Sequence, residues 1–173
     1  MNFEKELRTR KMNIRTCSLL SGIPYATLYP IIKGQVDIGT CEYYTVAKLA
    51  RTLGYRPDEI VYIKEDFQTF RNNLHHELKD NELELTIEVM QSDRVEYYAR
   101  HEDYVPMLYL IAMMDYVCNK NGIPLCDKYD EYRKLKLKEP YFVGDNLSSR
   151  DKDGCIEEFV KYNIYEGDLY DAV

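Results

Sequence analysis

At 173 residues, with 45% apolar and 13% aromatic side chains, the chain has material for one compact domain or two small ones, and its composition excludes a fibrous or low-complexity protein. Its formal charge of −7 argues on average against a polyanionic partner, but that average hides a split. Residues 1–57 hold nine Lys and Arg against four Asp and Glu, a net +5, whereas residues 58–173 hold 14 against 26, a net −12. Such asymmetry points to two halves with different partners.

The five cysteines form an odd set without a CxxC pair, and the chain opens on charged residues instead of an apolar leader, so a reducing cytoplasm is expected. The most apolar run, 105–118, contains Pro106 and Asp115 and falls short of the ~20 residues that a membrane crossing requires. It is expected to be a core helix.

In chain order, Leu7 with Arg8, Arg10 and Lys11 reads as a first short helix with an apolar inner face and a cationic outer one. Asn13 is placed to cap a second helix over 14–20 that turns Cys17 and Leu20 inward, while the small Ser18 lets another helix approach. Gly22 suits the left-handed conformation just past a helix end, Ile23 fills the space under the turn, and Pro24 starts a third helix. There Leu28 and Ile31 share one face, and Tyr25, Ala26 and Tyr29 share another with nothing obvious to bury against. Pro30 removes the bond to the Ala26 carbonyl, at a cost of about 3 kcal/mol in a helix interior, which predicts a short or bent helix. Thr40 is a candidate cap for a fourth helix with an inward stripe of Tyr43, Val46, Ala47, Leu49, Ala50 and Leu53, ended by Gly54. Pro57 opens a fifth, with Asp58 and Glu59 in its first turn.

The ordered set Leu7-x-x-x-Lys11, Ser18, Leu20-Ser-Gly-Ile-Pro24, Thr27-Leu28, Ile31, Lys33-Gly34 and Val46-Ala-Lys-Leu-Ala-Arg-Thr-Leu-Gly54 resembles the helix-turn-helix of the Cro and CI repressor type, the XRE family. The resemblance covers about the first third of the chain. It implies a five-helix head over residues 1–64 whose third helix enters the major groove of double-stranded DNA, commonly as a homodimer with third helices ~34–36 Å apart. Carried over by position, base reading falls on Tyr25, Ala26, Thr27 and Tyr29, and phosphate contacts on Arg15, Lys33 and Gln35. Two departures stand out: Ile14 replaces the phosphate-binding Gln that the family often has there, and the presented face carries no Arg, Asn or Gln for a bidentate base contact.

Residues 65–173 read as an acidic, Tyr-rich helical domain, so the fold class expected for the whole chain is all-α. Phe67, Phe70, Leu74 and Leu78 recur at helical spacing. Further helices are expected over 83–90, despite the Glu82-Leu-Glu-Leu85 alternation, and over 93–100, 104–121, 127–135 and 155–162. A polar loop is expected over 140–154, followed by a short tail over 167–173. From about Phe70 the chain is similar to the tails of uncharacterised bacterial proteins with such heads, which implies no activity.

His75-His76-Glu77 suggests a metal or base at first sight, but neighbours on a helix point ~100° apart and cannot share one ligand sphere, so a surface or linker role is expected. Cys118 and Cys126 flank a turn without a second pair at ligand spacing, and are expected to be free thiols. The calcium-like Asp151-Lys-Asp-Gly places Tyr162 where the bidentate Glu belongs. No catalytic triad order, phosphate-cradling glycine loop or Cys-His pair is present, so a binding protein with neither cofactor nor metal is expected in place of an enzyme.

The primary reading is a dimeric transcriptional regulator, a repressor, with an acidic domain for dimerisation or a protein partner. The alternative is an antitoxin or anti-CRISPR-type inhibitor from a mobile element. Its acidic, Tyr-studded domain, rich in the 17 tyrosines, would hold a nucleic-acid enzyme while the head controls its own promoter.

Overall fold

The structure, a computed structural model, describes residues 1–143 and 154–170. They are mostly helical. The chain divides into two compact units, Met1–Lys64 with Arg100–Glu102, and Glu65–Ala99 with Asp103–Val173. Among the described residues, no helix is long and apolar enough to cross a membrane.

The first unit is built from α1 (Phe3–Thr9), α2 (Ile14–Ser21), α3 (Tyr25–Ile32), α4 (Tyr43–Leu53) and the single turn α5 (Pro57–Ile60). Local chemistry sets most of these ends. Asn2 accepts from Lys5 N at 3.1 Å and Asn13 from Thr16 N at 2.9 Å, each satisfying a donor that the helix leaves unpaired. Gly22 and Gly54 close α2 and α4 in the left-handed region, at φ 66° and 74°. The core gathers Phe3, Leu7, Cys17, Ile23, Leu28, Ile31, Val46, Leu49 and Leu53.

Three expectations for this unit are corrected. Leu20 is 65% exposed, because the inward stripe of α2 runs through Ile14, Cys17 and Ser21 and leaves Leu20 about 100° from its centre. Thr40 does not cap α4. It closes a 3-10 turn over Ile38–Thr40 whose cap is Asp37, and its hydroxyl donates to Asp37 O at 2.7 Å. Tyr43, expected inside, is 69% exposed, since it opens α4 one turn before Val46, the first buried member of the stripe.

Pro30 lies inside α3, which nevertheless runs over eight residues. Its carbonyl accepts from Gln35 N at 2.8 Å and Val36 N at 3.2 Å, so the chain beyond Gly34 folds back under the helix end.

The second unit surrounds α9 (Tyr104–Lys120), whose residues 106–115 are all buried, as expected of a helix apolar all round. Before it come α6 (Phe67–Asp80), α7 (Glu82–Gln91) and α8 (Arg94–Arg100). Asp66 caps α6 by accepting from Thr69 N at 3.0 Å, and Asn81 caps α7 by accepting from Glu84 N at 3.2 Å. After α9 the expected helix over 127–135 divides into a 3-10 turn, Asp127–Tyr129, and α10 (Asp130–Arg133).

The late segment departs most from expectation. Tyr141–Phe142 (β1) lies in the stretch expected to be a loop, and pairs in parallel with Ile164–Tyr165 (β2). The helix expected over 155–162 shrinks to α11 (Glu157–Val160), because Asn163, at φ 67°, turns the chain into β2. The supposed tail docks instead, with Leu169 only 1% exposed. Asp151, Lys152 and Asp153 of the calcium-like run lie outside the described residues.

Buried polar groups tie this segment down. Arg71 on α6 donates to both carboxylate oxygens of Glu166, at 2.8 and 2.9 Å, and Tyr109 on α9 donates to the same carboxylate at 2.6 Å. Burial works against the Arg71 charge, yet Glu166 outweighs it and holds the guanidinium pKa above its usual value. His75, expected at the surface, is buried with Nε2 2.8 Å from the Tyr109 hydroxyl, while His76 is exposed. A second cluster joins Arg133 to Asp115 at 2.8 Å, with the Tyr162 hydroxyl donating to Asp115 at 3.3 Å.

Candidate nucleic-acid interface

The turn between α2 and α3 is fixed by two serines. Ser18 Oγ donates to Ile23 O at 2.6 Å, and Ile23 N donates to Ser21 Oγ at 3.2 Å. With Gly22 left-handed and Ile23 buried, α3 leaves the turn in a defined direction. Leu28, Ile31 and Ile32 then occupy its inner face, which leaves Tyr25, Ala26, Thr27 and Tyr29 exposed.

Tyr25 and Tyr29 sit one turn apart with ring centroids 5.7 Å from each other and remain 44% and 37% exposed. Lys33, a further turn along, places its ammonium 6.0 Å from the Tyr29 ring centroid. These residues form one stripe along α3. Arg15, in the first turn of α2, and Gln35, just beyond Gly34, are exposed too.

The cations of this unit fall into two groups. Arg10 pairs with Glu6, and Arg56 lies against Asp58 and Glu59. Lys33 pairs with Glu4 on α1, and this contact holds the Glu4 carboxyl below the usual carboxylate range and raises the Lys33 ammonium. By contrast, Lys5, Arg8, Lys11, Arg15, Lys48 and Arg51 enter no ion pair among the described residues, and all six are exposed. The local excess of positive charge is thus carried by side chains open to solvent.

Beside the α2–α3 turn is a shallow cleft of about 390 Å³, lined by Pro24, Thr27, Tyr44 and Lys48 among others. Tyr43 and Tyr44 stand 69% and 75% exposed next to each other. Sequence reasoning missed this aromatic pair, having assigned Tyr43 to the core; the polar neighbours Glu42 and Thr45 were the available signal. Among the described residues, no group of three or more His, Cys, Asp or Glu could hold a metal ion, and no disulfide joins two cysteines.

Chemically, α3 offers hydroxyl donors with aromatic and methyl surface, and the unpaired cations lie on other elements of the same unit. It presents no nucleophile beside a base. Comparison of this chain with family models, with characterised proteins and with solved structures found no match.

Proposed function

We propose that this chain is a sequence-specific regulator of transcription that binds double-stranded DNA through α3, acting as a homodimeric repressor in the cytoplasm. One observation carries the reading: an unpartnered face of α3, bearing Tyr25, Ala26, Thr27 and Tyr29, lies in a unit whose exposed cations are largely free of carboxylate partners. The resemblance to the Cro and CI type in residues 7–54 supports the same reading. In it, Arg15, Lys33 and Gln35 hold phosphates and set the register of the helix, and the tyrosine stripe meets the floor of the major groove. The acidic second unit serves dimerisation or a protein partner.

Fluorescence anisotropy with a labelled random-sequence duplex tests this directly. Binding should weaken with salt at a log–log slope of about −0.9 per phosphate contacted, hence about −1.8 or steeper if Arg15 and Lys33 both engage. Absence of binding at low salt, or an affinity indifferent to salt, refutes the reading.

A further inference from the structure

The chemistry of the α3 face narrows what it can read. Polar discrimination between bases in the major groove comes chiefly from bidentate pairs, Arg or Lys with guanine and Asn or Gln with adenine. The exposed side chains of α3 are Tyr25, Ala26, Thr27 and Tyr29, none of which has two coplanar donors or a donor–acceptor fork. They supply aromatic rings, two methyl groups and rotatable hydroxyls. Lys33 at the helix end is occupied by Glu4 and by the Tyr29 ring.

Thymine alone among the four bases presents an apolar group in the major groove, its 5-methyl. Resting on the DNA-binding reading above, we propose that this face selects its sites through thymine methyl groups, packed against Ala26, the Thr27 methyl and the rings of Tyr25 and Tyr29. The two rings lie one turn apart with centroids 5.7 Å from each other and stay exposed, an aromatic surface against which a methyl group can pack. Discrimination then arises from desolvating methyl and ring together. A cytosine in the same place lacks the methyl, so it forfeits that contact, while the rotatable hydroxyls serve its amino group and the thymine carbonyl about equally.

Gln35, just beyond Gly34, carries the adenine-reading fork, and it would enrich the same A·T pairs from the opposite base. Deoxyuridine separates the two cases, because it removes the methyl and leaves the adenine edge intact.

The test enriches duplexes from a random-sequence pool with the full chain, then resynthesises them with deoxyuridine for thymidine and compares affinities by anisotropy. Each methyl contacted should contribute about fourfold to the affinity, from the transfer free energy of one carbon. The Tyr25→Ala/Tyr29→Ala chain, checked for unchanged far-ultraviolet circular dichroism, should discriminate between the two duplexes at least about fourfold less than the parent while keeping its salt dependence. Enriched duplexes that bind equally well with deoxyuridine overturn this inference and leave the DNA-binding reading standing. Failure of the parent chain to bind any duplex in a salt-dependent way overturns the reading on which it rests.

Discussion

Replacing Glu166 by Gln tests the interior of the second unit. Glu166 is 1% exposed and Arg71 5%, and the carboxylate accepts two bonds from Arg71 and one from Tyr109. Glutamine has nearly the same volume, so no cavity forms. The substitution instead leaves the Arg71 charge without its counter-charge and turns an amide donor toward groups that are themselves donors. Breaking a buried pair from one side costs ~3–5 kcal/mol, mostly the desolvation of the charge left behind. In a unit of roughly a hundred residues each kcal/mol lowers Tm by about 4 °C or more, so Glu166→Gln should melt at least ~12 °C below the parent. Near-ultraviolet circular dichroism follows this transition, because the tyrosines of this core, Tyr109, Tyr129 and Tyr162, are buried. Removing both partners, as Arg71→Met/Glu166→Leu, should cost less than either single change, since no charge is stranded. A Glu166→Gln chain melting within about 4 °C of the parent would refute this account, because that shift corresponds to only about 1 kcal/mol.

Glu4→Gln frees Lys33, so duplex affinity measured by anisotropy at low salt should rise, whereas Lys33→Gln should make the salt slope shallower by about 0.9. In the first unit, His101 is pushed down to about 4 by burial and by the Met1 ammonium, and accordingly stays neutral in the fold. The unfolded chain then binds the extra proton between that value and ~6.5, so stability should be fully present above pH ~6.5 and fall as the pH drops toward 4. Urea titrations of His101→Gln across that range should show a flatter profile. Glu82, held at about 2 by Lys120, Tyr170 and Asn121, gives stability to the second unit that is complete above its unfolded value near 4.5 and lost toward pH 2. Glu82→Gln should remove that acid-dependent part of the melting curve.

What could be read in advance was whatever neighbouring residues decide among themselves. Asn13, Gly22, Gly54 and Asp58 with Glu59 mark helix ends through contacts within one turn, and α7 forms over Glu82-Leu-Glu-Leu85 as its surroundings suggest. The late segment was not readable, because its conformation depends on distant partners: Glu166 meets Arg71 from 95 residues away, and Tyr141 pairs with Ile164, 23 positions further on. Length explains the shortened α11 too, since a single turn has no stability apart from the core it touches. At the interface, the unpartnered face of Tyr25 and Tyr29 follows from helical periodicity alone, and both side chains are exposed. The neutralisation of Lys33 by Glu4, 29 positions earlier, does not, and neither does the outward Tyr43.

The serine-braced turn has a thermodynamic corollary. Because Ser18 and Ser21 already satisfy both backbone groups of Ile23, whatever α3 meets encounters a rod whose orientation was settled during folding. Association through it should therefore lack the large ordering penalty of coupled folding, and its heat-capacity change should track the contact area alone.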